Sequence, residues 1–296
     1  MIVVTAPTGQ IGRQLIPRLL AADAAVRVIV RDAATLPADV RQRVDIVEGS
    51  HADAATVERA LDGARALFWL VPPDPQAASV ESAYVDFSRP AAAAAALRSG
   101  SISQVVTITA LGRGSVLADD AGYVTGSLAV DDLIAATGVH LRALAMPSFM
   151  DNLLMQLSAL REKGAFFLPI PGDLELPSCS TGDIAAVAAR WLLDDAWTGQ
   201  DEVPVLGPEN ISFKQMARIM SEVLGRDIAY RQVSLEAYTA QLRAVGFSAA
   251  MAEGMAAMGR AKSEGLDLSA QRTPASSTPT HFRHWCETVL QPRFRA

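Results

Sequence analysis

Along the first half of the chain, short aliphatic and β-branched runs alternate with segments whose apolar positions recur at helical spacing. The runs Ile2–Thr5, Val26–Val30, Val44–Val47, Ala66–Val71, Val105–Thr109 and Leu141–Ala145 have strand length. Between them, Ile11, Leu15, Leu19 and Leu20 mark one helix. Val57, Ala60 and Leu61 mark another, with Asp53 as its N-cap. An alanine-rich helix is expected around Ala91–Leu97, and a further one at Leu128–Ile134, stopped by Gly138. Apolar strands such as Val26–Val30 suit burial on both faces. Strand–helix alternation of this kind predicts an α/β fold, a doubly wound parallel sheet with helices on both faces.

After about residue 150 the pattern changes. Helical spacing dominates over roughly 149–163, 183–194, 212–224, 234–245 and 248–262. One short strand is expected at Val203–Leu206, and Leu168–Gly172 reads as a loop. A stretch rich in Ser, Thr and Pro at 268–280 precedes a last helix near Phe282–Leu290. The expected division is a doubly wound domain at 1–150 and a smaller, mainly helical part at 151–296 that recrosses the sheet once or twice.

Composition narrows the classes. The chain has 296 residues, half of them hydrophobic and a fifth charged, the balance of a globular protein. A net charge of −6 without a basic stripe argues against nucleic acid and anionic membrane as partners. Cys179 and Cys286 lie far apart in no CxxC spacing, which suits a reducing compartment with two free thiols. No apolar run approaches the ~18 residues of a membrane helix, and the chain opens directly on a strand rather than on a leader. These features predict a cytoplasmic protein, a monomer or homodimer, whose partner is a small molecule. His51, His140, His281 and His284 are scattered without accompanying ligands, so no metal site is expected.

The first chemistry-bearing segment follows the first strand: Ala6-Pro7-Thr8-Gly9-Gln10-Ile11-Gly12. A glycine lets backbone approach a pyrophosphate, and another permits close helix–strand packing. The helix N-terminus then offers amides and partial positive charge to the phosphates. The turn Thr8, Gly9, Gln10, Ile11 and Gly12 is the expected dinucleotide cradle, with Ala6 where a first glycine would stand. Arg31 ends the second strand about 20 residues later, where an arginine accommodates the 2′-phosphate of NADP and an acid would hold the ribose of NAD. Asp32 follows at once. NADP is the expected cofactor, with NAD as the alternative.

At these residues the chain resembles the NmrA-like group of atypical short-chain dehydrogenases, whose opening reads T-G-A-T-G-x-x-G against Thr5–Gly12 here. The resemblance continues through Val28–Asp32, through Val47-Glu48-Gly49-Ser50 with Asp53, through Val106–Ala110, through Met146–Asn152 and through Thr278–Trp285. It implies a Rossmann domain that binds NAD(P), with a substrate-binding part after it. Val71 and Pro72, Thr109 and Ala110, and Met146 and Phe149 are then the expected further cofactor contacts. Tyr123, Phe149 and Asn152 are the expected substrate contacts, with Tyr123 the catalytic candidate.

Short-chain dehydrogenases usually pair a tyrosine with a lysine four residues on, which lowers the phenol pKa from ~10. Here Tyr123 is followed at that spacing by Ser127. The missing cation argues against alcohol dehydrogenation and sugar epimerisation. It leaves hydride transfer to an electrophile such as a quinone or azo compound, where positioning dominates. The alternative is a non-catalytic, NADP-sensing regulator. Met216, Met220, Met251, Met255 and Met258 have helical spacing and read as core or lid packing.

Overall fold

The computed structural model describes residues 1–97 and 102–296. In chain order its strands are β1 (Ile2–Val4), β2 (Val26–Val30), β3 (Asp45–Glu48), β4 (Ala66–Trp69), β5 (Gln104–Ala110), β6 (His140–Met146), β7 (Ser148–Phe149), β8 (Ala165–Leu168), β9 (Leu176–Cys179), β10 (Gln200–Pro204), β11 (Asn210–Ile211) and β12 (Ala229–Gln232). Its α-helices are α1 (Gly12–Ala21), α2 (Ala38–Arg41), α3 (Ala54–Leu61), α4 (Phe87–Leu97), α5 (Tyr123–Ala135), α6 (Leu157–Lys163), α7 (Thr181–Leu193), α8 (Phe213–Leu224), α9 (Leu235–Ala244), α10 (Ala249–Ser263), α11 (Phe282–Trp285) and α12 (Gln291–Arg295). The chain forms two compact units, each assembled from separate stretches. The first comprises Met1–Ala110, Gly126–Ala145 and Ile184–Val203, the second Leu111–Thr125, Met146–Asp183 and Pro204–Ala296.

The seven-stranded sheet has the order β10-β6-β5-β4-β1-β2-β3. β1 pairs in parallel with β2 and with β4, placing Ile2 opposite both Val26 and Ala66. β2 continues in parallel to β3, and β4 to β5. This is the doubly wound arrangement that the alternating pattern predicts. The order reverses between β1 and β4, and ligands of such sheets bind outside the carboxyl ends of the strands at that point. Val3, Val4, Val28 and Phe68 are completely buried, as strands covered on both faces require.

Two arginines fasten this unit. Arg27 on β2 reaches Asp45 of β3 at 2.7 Å and donates to the carbonyls of Ala60 and Asp62 behind α3. Arg142 on β6 is buried between Trp191 and Trp197, 4.9 and 4.4 Å from their ring centroids. It also donates to the Thr198 and Gly199 carbonyls, which precede β10. Each stacked cation contributes on the order of 1 kcal/mol.

The second unit carries helices, as expected, but also two small sheets, β11-β9-β7 and β12-β8. The sequence pattern points to one short strand after residue 150. Among the described residues the structure has β10 close to that place and four more, with β7 just before residue 150. Each of the others is two to four residues long, too short for a period to register. The helix expected over 149–163 is likewise divided. Ser148–Phe149 pairs with β9, Met150–Gln156 is a 3₁₀ turn, and only Leu157–Lys163 is α-helical. The Asp151 carboxylate explains part of this, because it accepts from Thr181 N at 3.0 Å and Thr181 Oγ1 at 2.7 Å. Those bonds tie the turn to the start of α7.

The core of the second unit gathers Phe166, Phe213, Met216, Met220, Phe282 and Trp285. Tyr230 stacks on Phe213 and donates from its hydroxyl to the Leu168 and Ile170 carbonyls, fastening β12 to the end of β8. Lys262 at the end of α10 is buried and donates to both oxygens of the buried Asp267, at 2.7 and 2.6 Å. Among the described residues, no helix is long and apolar enough to cross a membrane.

Candidate functional site

In the first unit, Thr5 closes β1 with a fully buried hydroxyl. It donates to Phe68 O at 3.1 Å and accepts from Leu70 N at 2.9 Å, which locks the ends of β1 and β4 together. The chain then reverses through Ala6, whose φ of +48° is a left-handed conformation normally left to glycine. This is the position where the resembling family has its first glycine. Gly9 N donates back to Ala6 O at 3.1 Å and closes the turn. Gly12 opens α1 with no room for a side chain. A Cβ there would overlap the Ala6 carbonyl and lie 2.8 Å from Pro7 Cα.

The N-cap position of α1 is Ile11, whose side chain can accept nothing. No acidic residue occupies the first turn. The positive end of the helix therefore has no internal anion, while Thr8, Gly9 and Gln10 beside it are exposed. This geometry fits a pyrophosphate, which supplies both acceptor oxygens and negative charge.

Arg31 is exposed immediately beyond β2. Its neighbour Asp32 competes less than the sequence suggests, because the Asp32 carboxylate accepts from Ala34 N at 2.8 Å and caps its own turn. Glu48 accepts from Ala33 N at 2.8 Å and fastens the same turn. A cleft beside the glycine turn is lined by Thr8, Arg13, Thr35, Leu36 and Val40 among others. Arg13, which pairs with the Gln10 side chain, is a second cation here that motif matching passed over. Its signal was a basic residue directly after the last glycine of the turn.

His51 also gains a place. It stands in the loop after β3, edge-on to Trp69 and Phe87 with ring centroids 5.3 and 4.8 Å away. Its Nε2 is 3.3 Å from Leu70 O, so that nitrogen carries the proton. Burial lowers its pKa to about 4; the Leu70 carbonyl opposes the shift and Arg31 adds to it. His51 is thus a neutral prop under Leu70, the residue before Val71 and Pro72.

On the other side of β4, Thr107 donates to Asp131 Oδ1 at 2.6 Å and Thr109 donates to Ser127 at 3.3 Å. Both bonds join β5 to α5. Ser127, at the spacing of the absent lysine, is held by the sheet. Ala110 is half-buried at the strand's end.

The second unit holds Tyr123, Met146, Phe149 and Asn152. Tyr123 begins α5. Its pKa is raised by burial first and by Tyr238 second, and neither cause is a cation. The phenol is therefore protonated at neutral pH and can donate a hydrogen bond but cannot act as a base. Met146 is buried at the end of β6, Phe149 is half-buried in β7, and Asn152 is exposed on the 3₁₀ turn. Tyr238 had no sequence signal, since nothing in its helix marks it as chemical.

Comparison with known proteins agrees with this geometry. A model of the NAD(P)H-binding family matches residues 7–195. The NAD(P)H azoreductase of Xenophilus azovorans is 27% identical over 255 residues, covering 86% of this chain and 85% of that protein. The (4-alkanoyl-5-oxo-2,5-dihydrofuran-3-yl)methyl phosphate reductase of Streptomyces griseus is 31% identical over 247 residues, covering 82% and 81%. The crystal structure of an NADPH-dependent quinone oxidoreductase from Escherichia coli in complex with NADPH shares the fold, with a TM-score of 0.79 and 21% identity over 98% of this chain and 100% of that one. With its glycine turn, its strand order and these likenesses, the chain belongs to the NAD(P)H-binding family, in keeping with the NmrA-like resemblance of its motifs.

Proposed function

We propose that this protein is an NADPH-dependent reductase of small conjugated acceptors such as quinones or azo compounds. The observation that carries the reading is the glycine turn with its open helix start, and Ser127, not lysine, stands four residues after a Tyr123 whose pKa burial raises. Thr8–Gly12 hold the pyrophosphate, and Arg31 with Arg13 takes the 2′-phosphate. When bound, the reduced nicotinamide supplies the hydride. Val71, Pro72, Thr109, Ala110, Met146 and Phe149 orient that cofactor.

Tyr123 donates a hydrogen bond to an acceptor atom that gains negative charge, and Asn152 offers a second polar contact. A quinone spreads the incoming charge onto an acidic, phenol-like oxygen. It takes its proton from water, so the two-electron reduction to a hydroquinone balances without a tuned acid. The likeness to an azoreductase over most of both chains supports the same acceptor class. The test is NADPH consumption with a panel of quinones and azo dyes. Steady turnover supports the reductase, whereas tight NADP binding without turnover on any acceptor supports a dinucleotide-sensing role instead.

A further inference from the structure

Strand β4 stops at Trp69, and the chain leaves the sheet through Leu70-Val71-Pro72-Pro73 without regular structure. Pro72 and Pro73 carry no amide hydrogen and hold φ at about −65°. Neither can be tied to the sheet by its own N–H. The course of this segment is therefore set at Leu70 and carried outward by two stiff residues.

Leu70 is gripped from two sides. Its N–H donates to Thr5 Oγ1 at 2.9 Å. Its carbonyl lies 3.4 Å from Thr5 Oγ1 and 3.3 Å from His51 Nε2. Thr5 has one hydroxyl proton, and Phe68 O, at 3.1 Å, is the nearer acceptor for it. The Leu70 carbonyl thus takes its hydrogen bond from His51. The imidazole is itself held in place. Trp69 and Phe87 meet it edge-on, and Trp69 Nε1 donates to the buried Ser88 Oγ at 3.0 Å. A line of contacts runs from Ser88 through Trp69 and His51 to Leu70, and all four residues belong to the first unit.

The strand order reverses between β1 and β4, and a dinucleotide lies across that crevice. On the NADPH reading, the pyrophosphate sits on the turn after β1 and the 2′-phosphate at Arg31 after β2. That leaves the nicotinamide half to the ends of β4 and β5. We propose that His51 is a positioning residue for the nicotinamide half of the cofactor: its hydrogen bond to the Leu70 carbonyl fixes the course of Val71-Pro72-Pro73, the edge against which the nicotinamide ribose rests. The inference rests on the NADPH-dependent reading and names a residue through which the reactive half of the cofactor, rather than its adenosine half, is held.

The test measures affinity for NADPH by fluorescence titration, and for 2′,5′-ADP, which lacks the nicotinamide half, by calorimetry. It compares wild type with His51→Phe, His51→Gln and Pro73→Gly. His51→Phe keeps a flat ring beside Trp69 and Phe87 but has no donor. It is expected to weaken NADPH roughly three- to tenfold, the effect of one lost hydrogen bond, with 2′,5′-ADP unchanged. His51→Gln, whose amide donates to the same carbonyl, should restore NADPH affinity. Pro73→Gly loosens the segment without touching His51 and should show the same split between the two ligands, even where a His51 variant is too unstable to assay. Equal losses for the two ligands in His51→Phe, or unchanged NADPH affinity there or in Pro73→Gly, overturn the inference. So does a His51→Gln protein that binds NADPH no better than His51→Phe. Failure of wild type to bind NADPH overturns the cofactor reading and the inference together. NADPH binding without turnover on any acceptor overturns the reductase reading alone, since the split is read in binding.

Discussion

Helix α1 begins at Gly12 with Ile11 in the cap position, while α8, α9 and α10 of the second unit each begin on a serine. Ser212, Ser234 and Ser248 accept from the amides of Gln215, Ala237 and Met251 at 3.1–3.2 Å. Ser212 adds a full capping box with Gln215. A missing cap costs a helix about 1 kcal/mol, so three helices carry one and α1 does without. The omission is no rule of its unit, since α3 starts on Asp53, but the short helices α2, α6, α11 and α12 also start without a side-chain cap. The long helices α8, α9 and α10 complete their own first turn. On the reading proposed above, α1 leaves that turn for a pyrophosphate to complete. On that reading the first unit recognises its cofactor with backbone amides, as proposed above.

The largest break in this contrast is expected at Gly12. A valine there meets the Ala6 carbonyl and Pro7 Cα, both backbone, so the turn and α1 must separate. Gly12→Val should abolish NADPH binding, read by fluorescence titration, while circular dichroism still shows a folded α/β protein. The counterpart in the second unit is a buried side-chain pair. Lys262→Met leaves the Asp267 carboxylate buried without its cation, and should cost about 3–5 kcal/mol in urea unfolding.

A pH titration sharpens the account of the first unit. His51 is held near pKa 4 by burial, against an ordinary 6.5. Between those values the unfolded chain binds a proton that the folded chain refuses. The resulting stability is fully present above about pH 6.5 and is lost as pH falls toward 4, by about 3 kcal/mol. His51→Phe should flatten that part of the stability–pH curve. The smallest effect expected is on cofactor choice. Arg31→Ala removes a charge-assisted phosphate contact and should weaken NADPH by about 1.5–3 kcal/mol with NADH nearly untouched. Equal losses for the two would show that Arg31 does not read the 2′-phosphate.

The same contrast explains what the sequence made legible. The β1–turn–α1 unit is contiguous, so its strand run, glycine spacing and helical period all sit in one short window. The doubly wound class was legible in the alternation, while the order of the strands came from the structure. By contrast, β7, β9 and β11 are two to four residues each and exist only because distant segments meet. His51 gains its environment from β4 and α4. The left-handed Ala6 was visible only as a departure from a glycine motif, and its backbone angle explains why the family prefers glycine there.

The central claim is that this chain places hydride by position, with Tyr123 as a hydrogen-bond donor only. The most direct measurement is the rate of naphthoquinone reduction by wild type and Tyr123→Phe between pH 6 and 9, with NADPH and with NADPH deuterated at the transferable position. The account predicts acceptor-dependent turnover slowed by deuterium, a loss on the order of tenfold in Tyr123→Phe, and no tyrosine-dependent limb in the pH profile. A thousandfold loss, or a limb that disappears in the mutant, would contradict it and return Tyr123 to the role of an activated acid.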